Sequence, residues 1–91
     1  MEYYILDTET TGLTTGYHQI VEISLIRVSN KVQLTKEIRC LHPERASLDA
    51  LRIIGKSKYQ LNNGISILEA IEISNKFMNE DGLSPKQRCI I

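Results

Sequence analysis

Two acids stand two places apart at the end of an apolar run. The stretch "YYILDTETTGL", residues 3–13, places Asp7 and Glu9 directly after Tyr3, Tyr4, Ile5 and Leu6. On an extended chain, residues two apart point to the same side, so a strand continuing through Thr8 brings both carboxylates to one spot. Two unpaired carboxylates that close repel each other, and one tends to keep its proton. A divalent cation removes the conflict. Hard oxygen donors suit Mg²⁺ or Mn²⁺, which take one or two carboxylates together with substrate phosphate oxygens. Two such ions about 4 Å apart activate a water and stabilise the leaving oxygen in phosphodiester hydrolysis. The plainer alternative is that Asp7 caps the following loop and Glu9 is solvated. The apolar run before the pair and the Thr-Thr-Gly after it weigh against that.

No other residue offers comparable chemistry. His18 and His42 are expected to have surface or hydrogen-bonding roles rather than to act as a base. Glu22 is a third acid, expected to be a structural partner on the sheet; a supporting place beside a metal site is the alternative. Tyr3, Tyr4, Tyr17 and Tyr59 lack the spacing of a base-stacking platform and suit core and loop packing. "ERASLDALR" and "KSK" are mixed or basic stretches of the kind that form solvated faces.

The elements that must hold Asp7 and Glu9 follow from pattern. Glu2 to Thr8 is apolar with little alternation, which predicts a central strand buried on both faces. "HQIVEISLIRV", His18 to Val28, is rich in β-branched residues and predicts a second strand. Val32 to Leu41 alternates, with Val32, Leu34, Ile38 and Cys40 on one side. Lys36 falls on that apolar side and suits an edge strand. Short connections make these three strands an antiparallel meander. Ser47 caps a helix over Leu48–Ile54, with Gly55 just past its end. "SILE", residues 66–69, has the form of a capping box. It opens a longer helix whose apolar stripe is Leu68, Ile71 and Met78, flanked by Ile67 and Phe77. Gly82 and Pro85 end that helix. "RCII", Arg88 to Ile91, begins another strand. A helical crossover lets it lie parallel to the first, so Asp7 and Glu9 fall at the carboxyl end of a strand at a topological switch point.

Bulk properties narrow the setting. The chain has 91 residues and is 42% hydrophobic, enough for one small globular domain. Eleven basic residues balance eleven acidic ones, so no whole-molecule field draws a polyanion and a bound metal must do so locally. No apolar run spans a membrane, and the N-terminus lacks the form of a signal peptide. Cys40 and Cys89 fit neither a disulfide framework nor a zinc pattern, which leaves a reduced, cytoplasmic setting as the expectation.

"LDTETTGL" followed by "HQIVEISLIRV" resembles the start of the DEDD 3′–5′ exonuclease superfamily, and most of all the proofreading (epsilon) subunit of bacterial DNA polymerase III. The likeness continues through "HPER", "LDALRIIG", "ILEAIEISNKFM" and "RCII". The resemblance implies an RNase H-like α/β fold with a mixed sheet. It implies that Asp7 and Glu9 are the first two of four acidic ligands to Mg²⁺ or Mn²⁺, and that backbone groups near Thr10, Thr11 and Gly12 hold the terminal nucleotide. Leu13 matches an apolar residue packing on the terminal base; the alternative is that Leu13 anchors the loop in the core. Where relatives carry His-Gly, this sequence has Ile54-Gly55, so contact there is apolar.

The resemblance also implies that the third and fourth acids and the general-base His or Tyr come later than Ile91. Residues 1–91 are therefore expected to be a single partial exonuclease domain, inactive alone and prone to self-association. The expected substrate is a single-stranded DNA 3′ end, with RNA as the alternative, and a DNA polymerase is a possible partner. Two competing functions remain at this point. One is a non-catalytic fragment that binds nucleic acid or a polymerase. The other is a haloacid dehalogenase-like phosphatase, which places D-x-D-x-T after a buried strand. Glu9 breaks that phosphatase pattern.

Overall fold

A computed structural model describes all 91 residues. Strands β1 (Glu2–Thr10), β2 (Ile20–Arg27) and β3 (Gln33–Glu37) come first. Helices α1 (Leu48–Ile54) and α2 (Ile67–Asn79) follow, and then β4 (Arg88–Ile90). Short 3₁₀ turns lie at Pro43–Arg45, Lys58–Asn62 and Pro85–Gln87. The sheet order is β3-β2-β1-β4. β1 pairs antiparallel with β2 and parallel with β4, and β2 pairs antiparallel with β3. This mixed sheet with an antiparallel meander and a crossover strand is the RNase H-like arrangement. β1 is interior, β3 is an edge carrying Lys36, and the antiparallel β2 and β3 exclude the phosphatase alternative.

The two faces of the sheet differ. Val21 with Cys40, Ala46, Leu51 and Leu61 forms one buried cluster, and Tyr4, Leu25 and Phe77 form a second. Both lie on the face that the helices cover. The opposite face carries Tyr3, Ile5, Asp7 and Glu9 of β1; no helix packs over its middle, and Lys56 meets it at Glu22 and Glu37. Burial of β1 on both faces, as its composition predicts, is therefore corrected: Tyr4 is fully buried, whereas Tyr3, Ile5 and Leu6 are exposed. α2 lies chiefly over β2 and β3, which leaves even Leu6 on the covered face partly bare.

Two further expectations change. β2 and β3 are shorter than their patterns suggest. His18 sits in the loop before β2. Beyond Glu37 a last bond ties Ile38 N–H to the Val21 carbonyl at 2.8 Å, and the chain then pairs with the 61–65 segment, through Arg39 N–H to the Ile65 carbonyl and Cys40 N–H to that of Leu61. The apolar stripe of α2 is also corrected. Its buried face is Ala70, Ser74 and Phe77, while Leu68 and Ile71 are exposed. Small Ala70 and Ser74 let the helix approach the sheet closely, and the Ser74 hydroxyl satisfies itself on the Ala70 carbonyl at 2.7 Å. Phe77 packs edge-on against Tyr4, and the Arg27 guanidinium lies 4.6 Å from the Phe77 ring centroid.

A buried polar network fastens the end of α2. The Tyr4 hydroxyl donates to Asp81 at 2.8 Å and accepts from Arg27 Nε at 3.0 Å. Arg88, at the start of β4, grips Asp81 through Nε at 2.8 Å and Nη2 at 2.6 Å. One carboxylate thus joins β1, α2 and β4. Every buried side-chain polar atom has a partner, as a packed interior requires.

Candidate active site

The site begins where β1 stops pairing regularly. The β1–β2 register shifts between Glu9 and Thr10, and the chain then enters the loop to Gln19. Thr11 pins that loop: its N–H donates to the Gln19 carbonyl at 2.9 Å and its hydroxyl accepts from Gln19 N–H at 3.0 Å. Its carbonyl accepts from Ser47 N–H at 2.7 Å. The loop is thereby tied to the first turn of α1. The Thr10 hydroxyl donates to the Gly12 carbonyl at 2.8 Å. A Cβ on Gly12 would run into the His18 ring, so glycine is what allows the ring to sit there. His18 Nδ1 in turn accepts from Thr14 N–H at 3.0 Å, a hydrogen-bonding role within the loop.

Asp7 and Glu9 lie on the bare face at the carboxyl end of β1. Asp7 is exposed and Glu9 half-buried. Asp7 stands opposite Ser24, and Glu9 stands opposite Glu22. Neither carboxylate takes part in an ion pair or side-chain hydrogen bond within the chain. Two free carboxylates on one exposed face form a hard-oxygen donor set that fits Mg²⁺ or Mn²⁺. The chain holds no cluster of three or more acid, His or Cys side chains placed to cage an ion. Glu22 instead meets Lys56 Nζ at 3.4 Å, as a structural partner.

A shallow groove runs from Glu9 to α1, between Thr8, Thr10, Gly12 and Leu13 on one side and Ala50, Ile53 and Ile54 on the other. Leu13 is 98% exposed, which removes the alternative that it anchors the loop in the core. Ile54 packs against the Val21–Leu51 cluster and shows only part of its surface to the groove. Ile53 is 84% exposed at the groove mouth. The resemblance points to Ile54; Ile53, which it does not point to, lines the same groove and is the more exposed of the two. Adjacent helical residues differ by about 100°, so when one packs inward the next is turned out, but which one faces in is set by the tertiary contact. Thr11 has both backbone groups committed. The N–H groups of Gly12 and Leu13 meet no protein acceptor.

Sequence and structure comparisons agree with this architecture. A family model described as exonuclease matches residues 4–91. No curated protein matches the sequence. Among solved structures, cell-death related nuclease 4 superposes with a TM-score of 0.75 at 13% identity, over 98% of this chain and 33% of its own. The nuclease domain of 3′hExo, a DEDDh family member bound to rAMP, gives 0.74 at 15% identity over 98% of this chain and 50% of its own. A 3′-exonuclease described in 3′-end-specific recognition of a histone mRNA stem-loop gives 0.74 at 15% identity, over 98% and 44%. The chain thus spans between a third and a half of the length of these nucleases. With the family model covering all but its first three residues, the chain belongs to the exonuclease family.

Proposed function

We propose that this chain contributes to a metal-dependent 3′–5′ exonuclease of the DEDD type acting on a single-stranded 3′ end, with Asp7 and Glu9 as the first two of four carboxylate ligands to Mg²⁺ or Mn²⁺. The observation that carries the proposal is the pair itself: two carboxylates without protein partners, on one face at the carboxyl end of the central strand, beside a groove with apolar walls. When bound, the cations supply an activated water and charge stabilisation at the scissile phosphate. The chain's own residues do the positioning. Asp7 and Glu9 fix where positive charge collects. The N–H groups of Gly12 and Leu13 are free to donate to the terminal nucleotide. Leu13 and Ile53, with Ile54 behind them, offer the apolar surface that a base face stacks on.

The resemblance of "LDTETTGL" to the proofreading epsilon subunit favours DNA as substrate, and the histone-mRNA exonuclease among the structural neighbours makes RNA the necessary second arm. By the same proposal, the other two acids and the general base lie outside residues 1–91. Two carboxylates are too few ligands for tight binding, and general-base catalysis contributes typically 10²–10⁴-fold, so residues 1–91 alone bind the metal weakly, Mn²⁺ ahead of Mg²⁺, and do not cleave above background.

The test uses 5′-labelled single-stranded DNA and RNA, incubated with a product of the same gene extended past Ile91. Stepwise shortening from the 3′ end that stops on adding EDTA is the expected result. Shortening from the 5′ end, or activity indifferent to EDTA, would falsify the proposal.

A further inference from the structure

Glu9, Glu22 and Glu37 form a row across the three antiparallel strands. Glu9 is the register partner of Glu22, and Glu22 that of Glu37, all on the bare face of the sheet. Directly opposed like charges on neighbouring strands are destabilising, with Cβ atoms about 5 Å apart. The next row, Asp7, Ser24 and Thr35, has a single charge, and its neutral members are joined by hydrogen bonds: Ser24 Oγ to Thr35 Oγ1 at 3.1 Å, with Gln33 Nε2 donating to both.

One cation meets the glutamate row. Lys56 Nζ lies 3.4 Å from Glu22 Oε2 and 3.2 Å from Glu37 Oε1. Its side chain is only 12% exposed, so the pairing is not a loose surface contact. The backbone fixes it in place. Gly55 adopts the left-handed conformation at φ 71°, and Lys56 N–H closes the helix end on the Leu51 carbonyl at 3.0 Å. That cap aims Lys56 back over the sheet. Although Glu22 stands opposite Glu9, it does not join Asp7 and Glu9 in a three-acid cluster.

We propose that Lys56 is a positioning residue that holds Glu22 to Glu37, away from Glu9, so that the cation is offered Asp7 and Glu9 and not a competing Glu9–Glu22 pair. The inference rests on the metal-binding reading above. Without Lys56, Glu22 becomes an unpaired carboxylate beside Glu9. A doubly charged ion within several ångströms would feel that added negative charge as about three- to ten-fold tighter binding.

The test is a Mn²⁺ titration of this chain, followed by the electron paramagnetic resonance signal of free Mn²⁺, with circular dichroism as the check on folding. Asp7→Asn should weaken binding; unchanged binding would remove the metal reading itself, whatever Lys56 does. Given that weakening, Lys56→Met should tighten Mn²⁺ binding about three- to ten-fold, and Lys56→Arg should behave like the parent. The double variant Lys56→Met/Glu22→Gln should return to the parent affinity. A folded Lys56→Met protein with no tighter binding overturns the proposal. So does a double variant weaker than the parent, because Glu22 would then already be a ligand. The double variant removes both members of the pair and keeps the test open should Lys56→Met alone fail to fold.

Discussion

Asp7 and Asp81 show how differently one fold treats two aspartates. Asp81 is enclosed. It accepts from Arg88, from Tyr4 and from Leu83 N–H, and the Arg88 guanidinium above all holds its carboxyl well below the usual range. A folded-state pKa below the unfolded one means that the group stabilises the fold fully above its unfolded value of about 3.9 and loses that contribution as pH falls below it. Asp81→Asn should therefore lower the urea midpoint at pH 7. The gap from the parent should narrow progressively as the pH is taken from 4 towards 2. A gap that stays constant over that range would mean the network does not depend on the Asp81 charge. Asp7 has no partner to lose, so Asp7→Ala and Glu9→Ala should leave the unfolding free energy within about 0.5 kcal/mol of the parent. In the extended gene product the same changes should cut 3′–5′ turnover at least a hundred-fold. An Asp7→Ala enzyme retaining near-full activity would make the pair structural. The placement of Asp7 is legible in the sequence because it is local: a strand, a spacing of two and a turn. Asp81 is not, because its partners Tyr4 and Arg88 meet it only through the fold.

At the scale of elements, what a segment does to itself was readable and what it does against its neighbours was not. The α1 boundaries follow from Ser47 and Gly55, and both caps form: the Ser47 hydroxyl accepts from Ala50 N–H at 3.3 Å, and Gly55 takes the left-handed turn. The α2 start at Ser66 is likewise set by a side chain accepting from Glu69 N–H. The facing of α2 was not readable, because the helix has two apolar flanks. Leu68 and Ile71 match the helical period as well as Phe77 does. The sheet selects the flank with Ala70 and Ser74 because it allows close approach and seats Phe77 against Tyr4 and Arg27. β2 and β3 are shorter than their patterns for the same reason, since alternation persists through Cys40, whose N–H bonds the Leu61 carbonyl and not β2. Ser47 tests the link between cap and site. Ser47→Ala should cost about 1 kcal/mol, read as a lower denaturation midpoint. Because the backbone N–H of Ser47 still holds Thr11, Mn²⁺ affinity should be unchanged. Loss of Mn²⁺ binding without unfolding would show that the hydroxyl, and not the backbone, sets the loop.

The whole molecule carries more apolar surface than its helices cover. On the bare face, Tyr3, Ile5, Val28 and Ile91 are all exposed. On the covered face, the seam beside α2 leaves Leu6, Leu68, Ile71 and Ile90 exposed. β4 adds an open edge, since it pairs only with β1. Isolated apolar side chains on a surface need no explanation, but contiguous ones around an unpaired strand favour association. The zero net charge supplies no repulsion to oppose it. The 91-residue chain should therefore self-associate with rising concentration, seen as an increasing weight-average mass in sedimentation equilibrium. Ile5→Thr keeps a β-branched residue in the strand while removing apolar surface from the bare face, so it should shift the association to higher concentration without unfolding the chain. Ile71→Gln, on the exposed flank of α2, should do the same if the seam takes part. A compact monomer whose mass is constant up to high concentration would mean that these exposed side chains are too dispersed to act as one surface.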